Sequence, residues 1–112
     1  MVIVDYGHFQ PVNGQYGTLY FVNERGEDWY DIRSTLTVWG PRGEFISAIY
    51  GAWAMVDVDG IVTNVEFDPS RLMPGDRTVL GIDASHEDIE PGMIWEDGEL
   101  KPSTEESRER VQ

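Results

Sequence analysis

Asp57-Val58-Asp59-Gly60 opens in the way a calcium loop opens. Such a loop needs oxygen ligands at alternating positions and a closing bidentate glutamate. Here glycine follows the second aspartate directly and apolar Ile61-Val62 come next, so a hairpin turn is the better fit. The acidic run Glu24, Glu27, Asp28 and Asp31 would attract a cation but lacks the fixed ligand spacing of a site. His8 and His86 are the two imidazoles of the chain, and two cannot make a three-histidine zinc centre. His86, within Ala84-Ser85-His86-Glu87-Asp88, reads as a loop residue. No serine sits in a strained glycine-flanked turn suited to acyl transfer, and no G-x-x-x-x-G-K-S/T loop cradles a phosphate. The chemistry-bearing residues therefore point away from an enzyme, with no catalytic residue, no metal site and no cofactor.

The tryptophans carry more. Trp29, Trp39, Trp53 and Trp95 are spread along the chain, and each brings a large apolar area with one N–H to satisfy. Such rings anchor cores or interfaces, and interface energy concentrates in a few of them. Trp29, Tyr30, Trp53 and Trp95 are the expected partner-binding residues, with Phe21, Val65 and Phe67 expected in the core.

These residues must be positioned by strands. Three segments share one pattern of apolar residues around a tight acidic turn containing glycine: Leu19 to Tyr30, Met55 to Val62 and Met93 to Leu100. Asp-Gly between apolar runs is a strong hairpin signal, because glycine takes positive φ without a Cβ clash. Arg33 to Trp39 alternates as a strand, and Gly40-Pro41-Arg42-Gly43 breaks the chain. Glu44 to Val58 is read as strand with a bend at Gly51, a helix over 44–55 being the competing reading. Ile61 to Phe67 and Thr78 to Ile82 have strand periodicity, and Asp68-Pro69-Ser70 opens a helical turn closed by Pro74.

The expected architecture is mainly β, a small antiparallel sandwich or barrel-like domain of several hairpins with one short helical turn. Its parts are an extended N-terminal arm over 1–17, a β-rich domain over 18–102 and a flexible tail over 103–112, where apolar residues are nearly absent. At 112 residues with 40% hydrophobic content, one modest core is possible. The chain has no cysteine, which excludes a disulfide scaffold. Met1-Val2-Ile3-Val4-Asp5-Tyr6 has no basic segment and reaches a charge at once, so it does not read as a signal peptide. Eight Lys+Arg against 21 Asp+Glu give a net charge of −13, which opposes contact with phosphate backbones and anionic membranes.

Tyr20-Phe21-Val22-Asn23-Glu24-Arg25-Gly26-Glu27-Asp28-Trp29-Tyr30-Asp31 resembles the YF-x-(N/D)-E-x-G-x-DWY opening of small tail-associated proteins of tailed bacteriophages, particularly Mu-like and lambdoid ones. Asp57 to Val62 and Asp68 to Pro74 are similar to the shorter D-x-x-G-x-(I/V) and (D/E)-x-S-x-L-x-P segments of the same proteins. Pro91 to Pro102 resembles the PGW-x-(Y/W)-DG-x-(F/L)-x-P hairpin that closes many tail-fibre accessory and assembly proteins, with Met93 or Ile94 where those often carry Trp. Residues 37–54 have no counterpart in that pattern. The resemblance implies a structural or accessory component of a phage tail, in the fibre or baseplate region, acting by protein–protein contact in assembly or host attachment. It implies other tail proteins as partners, self-association by virion symmetry, and a place in the virion tail after assembly in the host cytoplasm. A tail-fibre assembly chaperone absent from the virion is a second reading. An acidic DNA mimic that inhibits a host nucleic-acid-binding protein is a third, carried by charge.

Overall fold

The computed structural model describes residues 2–14 and 17–102. It is mainly β. Five strands, β1 (Ile3–Asn13), β2 (Leu19–Asn23), β5 (Ala52–Val56), β6 (Val62–Glu66) and β7 (Arg77–Ile82), form one antiparallel sheet in the order β2-β1-β7-β5-β6. A helix α1 (Trp29–Leu36) follows β2, and two small hairpins pair β3 (Thr37–Trp39) with β4 (Phe45–Ala48) and β8 (Ile94–Glu96) with β9 (Glu99–Lys101). The sheet is open, with β2 and β6 as its edges, and is not closed into a barrel.

Strand alternation sends β5 to two cores at once, and all five of its residues are buried. Ala52, Ala54 and Val56 join Val62, Leu80, Ile82 and Ile89 on one face, where Met93, Trp95 and Leu100 of the β8–β9 segment cover them. Trp53 and Met55 join Phe9, Val79 and Leu72 on the other face, covered by Trp29, Ile32 and Leu36 of α1. The small alanines lie on the hairpin side and the large rings on the helix side.

Three expectations are corrected. The arm expected over 1–17 contains β1, an inner strand paired to both β2 and β7. Its apolar residues read poorly as a strand because Tyr6 and Phe9 are three apart yet pack into the same core. A bulge explains this: Asp5 pairs with Leu80 and His8 with Thr78, so β1 carries one residue more than β7 there. Gly7 sits in the bulge at φ +102, where a Cβ would meet Glu24 Oε1 at 2.6 Å. Second, the hairpin expected over Leu19 to Tyr30 is one strand followed by a helix, because Asp28 caps α1 by accepting from the Tyr30 N–H at 2.8 Å. Third, the strand expected over 33–39 is helix to Leu36 and strand only from Thr37.

The other elements match their sequence signals. The run over 44–58 is two strands, β4 and β5, separated at Gly51. The helical turn is a 3₁₀ turn at Pro69–Arg71, capped by Asp68. The tail over 103–112 lies outside the described residues. Asp97 (φ 55) and Gly98 (φ 76) make the two-residue, left-handed turn between β8 and β9. A Cβ on Gly98 would meet nothing within 4 Å, so substitution there costs backbone strain alone. Gly98→Val is expected to lower unfolding free energy by about 1–3 kcal/mol, measured by urea titration.

Candidate partner-binding surface

The β3–β4 hairpin is built by its turn. Gly40 N–H donates to Glu44 O at 2.8 Å, Gly43 lies at φ +80, and the Glu44 carboxylate accepts from the Arg42 N–H at 3.0 Å. The ladder pairs Thr37 with Ala48, Val38 with Ser47 and Trp39 with Phe45, leaving Ile46 as the extra residue of a bulge. Among the described residues the hairpin joins no other strand. Its base is tied by the Ile49 N–H to Leu36 O at 2.9 Å, and Ala48 packs on the helix-side core.

Beyond that base the side chains find little to cover them. Val38 is 54%, Ile46 57% and Ile49 62% exposed, and Trp39 is 40% exposed. The Trp39 N–H donates to Thr37 Oγ1 at 2.8 Å, so its polar demand is met within the hairpin and the ring is left as apolar surface. A row of rings continues from it: Trp39 edge-on to Phe45 (5.5 Å), Phe45 to Phe67 (5.7 Å), and Phe67 to His86 (5.5 Å). The Arg71 guanidinium lies 5.4 Å from the Phe67 ring. A two-stranded hairpin is marginal by itself in water, and Val38 and Trp39, adjacent in β3, leave exposed apolar area on both of its faces. The hairpin presents side chains rich in aromatic and β-branched area to whatever covers it.

The expected anchors are distributed otherwise. Trp53 is fully buried and Trp29 is 2% exposed, so neither ring is presented to a partner. Their centroids are 6.1 Å apart in a cluster with Tyr6, Phe9 and Tyr50, where the Trp53 N–H donates to Tyr50 O at 3.1 Å. Burial, reinforced by the neighbouring Tyr50, pushes the Tyr6 phenol up to about 12. These rings hold α1 to the sheet. Trp95 is half-buried over the opposite core, and Tyr30 is exposed on α1, with the Arg33 guanidinium 4.7 Å from its ring. The four residues do not form one site. Phe67, expected in the core, is instead a surface member of the aromatic row. Trp39, Phe45 and Ile46 were not singled out. Their signal was the apolar pairs Val38-Trp39 and Phe45-Ile46 on either side of the Gly40-Pro41-Arg42-Gly43 turn.

The acidic residues of the turns are engaged in building them. Buried Asn23 donates from Nδ2 to Tyr6 O (2.7 Å) and Glu27 Oε1 (2.9 Å), and its Oδ1 accepts from the N–H groups of Arg25 and Glu27. Glu24 accepts from the His8 N–H at 2.8 Å, which ties this loop to the β1 bulge. Asp57 Oδ1 accepts from the N–H groups of Asp59 and Ile61, so the calcium-like segment is a hairpin turn. His8 bridges Thr78 Oγ1 (3.1 Å) and Asp76 Oδ1 (2.9 Å), and Gln10 also donates to Asp76, strapping β1 to the start of β7.

These bonds favour the charged carboxylates. The His8 N–H holds Glu24 below the ordinary 4.5, the Asn23 amide and Arg25 do so for Glu27, and His8 and Gln10 hold Asp76 below 3.8. Folded-state values lowered in this way give stability that is present above the ordinary values and lost as pH falls through the folded ones. All three groups are solvent-exposed, so the effect is small and salt-sensitive. The thermal midpoint is expected to be flat from about pH 7 to pH 5 and to fall below that. Glu27→Gln should flatten the acid limb.

Among the described residues, no helix is long and apolar enough to cross a membrane. A scan against protein-family models and a search of curated proteins both find no match to the chain.

Proposed function

We propose that this protein is a structural or accessory component of a bacteriophage tail, in the fibre or baseplate region, acting by protein–protein contact in virion assembly or host attachment. The observation that carries the contact half of this reading is the β3–β4 hairpin, which leaves Val38, Trp39, Ile46 and Ile49 uncovered. The phage half rests on the Tyr20–Asp31 and Pro91–Pro102 motifs. Burying a Trp and its aliphatic neighbours against a partner supplies desolvated apolar area at the centre of an interface, where binding energy concentrates. The net charge of −13 speeds encounter with basic partners and contributes less to affinity than the apolar contact does.

Mass spectrometry of gradient-purified particles tests it. The chain is expected in particles at a fixed ratio to a tail protein. Its presence in assembly extracts but not in particles would give the role to a tail-fibre assembly chaperone. Its absence from both, with salt-labile capture of a host nucleic-acid-binding protein, would favour the DNA mimic.

A further inference from the structure

A second surface, separate from the hairpin, lies along the free edge of β2. The parity of the ladder is set by Asn23, whose N–H turns away from β1 to Glu27 O at 3.0 Å, with a bridge between Val22 and Asp28 beside it. Antiparallel pairing alternates, so Phe21 and Leu19, two and four residues earlier, turn to the same outer side; the bridge takes up the Phe21 C=O with the Trp29 N–H, which leaves the Phe21 N–H and both backbone groups of Leu19 facing out. Pro11 stands opposite Phe21, at a position that needs no N–H donor toward β2. Past the Val22–Asp28 bridge this outer side opens into a groove of about 380 Å³ lined by Leu19, Phe21, Trp29, Tyr30, Arg33 and Leu72, with Asp28, whose carboxylate is held by the Tyr30 N–H, also on its wall.

One cationic side chain on the groove wall lacks an ion-pair partner. Arg33 stacks on Tyr30 but makes no ion pair among the described residues, although carboxylates far outnumber cations in this chain. An edge with outward N–H and C=O groups accepts an extended backbone, apolar walls accept alternate side chains, and an unpaired guanidinium accepts a carboxylate.

We propose that this groove binds an extended, carboxylate-bearing peptide segment of a partner protein, which adds a strand beside Leu19–Phe21 and places its carboxylate on Arg33.

A library of random nonapeptides selected on the intact protein is the probe. Enriched peptides are expected to carry an acidic residue flanked by apolar ones. In ¹⁵N-resolved NMR the best of them should shift the Leu19 and Phe21 amides and the Arg33 guanidinium N–H. Arg33→Gln should raise its Kd at least five-fold, and N-methylation of the peptide backbone should raise it at least ten-fold, while Trp39→Ser leaves it unchanged. Failure to enrich any peptide, shifts confined to β3–β4, or equal binding to the Arg33→Gln protein and by the N-methylated peptide would overturn the proposal. The Trp39→Ser arm separates its failure from failure of the hairpin reading.

Discussion

Trp53→Ala is expected to lower the unfolding free energy by about 4 kcal/mol, the largest stability loss of any single change considered. Trp53 is fully buried at the centre of the helix-side core, in ring contact with Tyr6, Trp29 and Tyr50. Its deletion leaves a cavity between α1 and the sheet that the rigid rings around it cannot collapse to fill. A domain of this size has about 5–15 kcal/mol in total, so the variant is expected to retain about 1–11 kcal/mol, with partial unfolding at 37 °C toward the low end of that range. A urea titration followed by circular dichroism measures it. A loss below about 1 kcal/mol would mean that the cluster does not fasten the helix. An assembly defect in this variant would reflect unfolding and not a lost contact.

The second large effect is on assembly. Trp39→Ser combined with Ile46→Ser is expected to leave the urea midpoint nearly unchanged, since both side chains are already exposed. Incorporation into particles is expected to fall at least ten-fold, because a hot-spot tryptophan alone is worth about 2 kcal/mol or more at an interface. Quantitative mass spectrometry of particles from a complementation assay reads the result. The contrast with Trp53→Ala is the point: one tryptophan holds the fold and the other is proposed to serve the contact.

The sequence carried the punctuation of this fold well. Asp-Gly and Asp-Val-Asp-Gly marked two hairpins because positive φ and side-chain acceptors at Asp57 act within four residues. The mainly β class followed from those turns and the alternating runs. What failed was decided by longer-range terms. Asp28 followed by Trp29, Ile32 and Leu36 is an N-cap with apolar residues on one helical face, but the apolar Trp29-Tyr30 pair and the β-branched residues after it also fit a strand. Tertiary packing on the Trp53 side settled it as helix. β1 was obscured by the Gly7 bulge, which breaks the period of two that marks a strand.

The candidate surface was legible only in outline. That some aromatics face a partner was expected, but sequence cannot rank four tryptophans by burial, since burial depends on which strand neighbours which. Trp53 falls on the strand between β7 and β6, which buries it, while Trp39 falls on a hairpin that no other strand among the described residues joins.

The central claim is that desolvated apolar contact through β3–β4, and not the acidic surface, holds this protein to its partner in the particle. Washing purified particles with NaCl at about 1 M, where the Debye length falls to about 3 Å, and quantifying the retained chain by mass spectrometry tests this directly. The predicted result is retention of nearly all of the wild-type chain. Its quantitative release into the wash, with the Trp39→Ser/Ile46→Ser protein incorporated normally at low salt, would contradict the account.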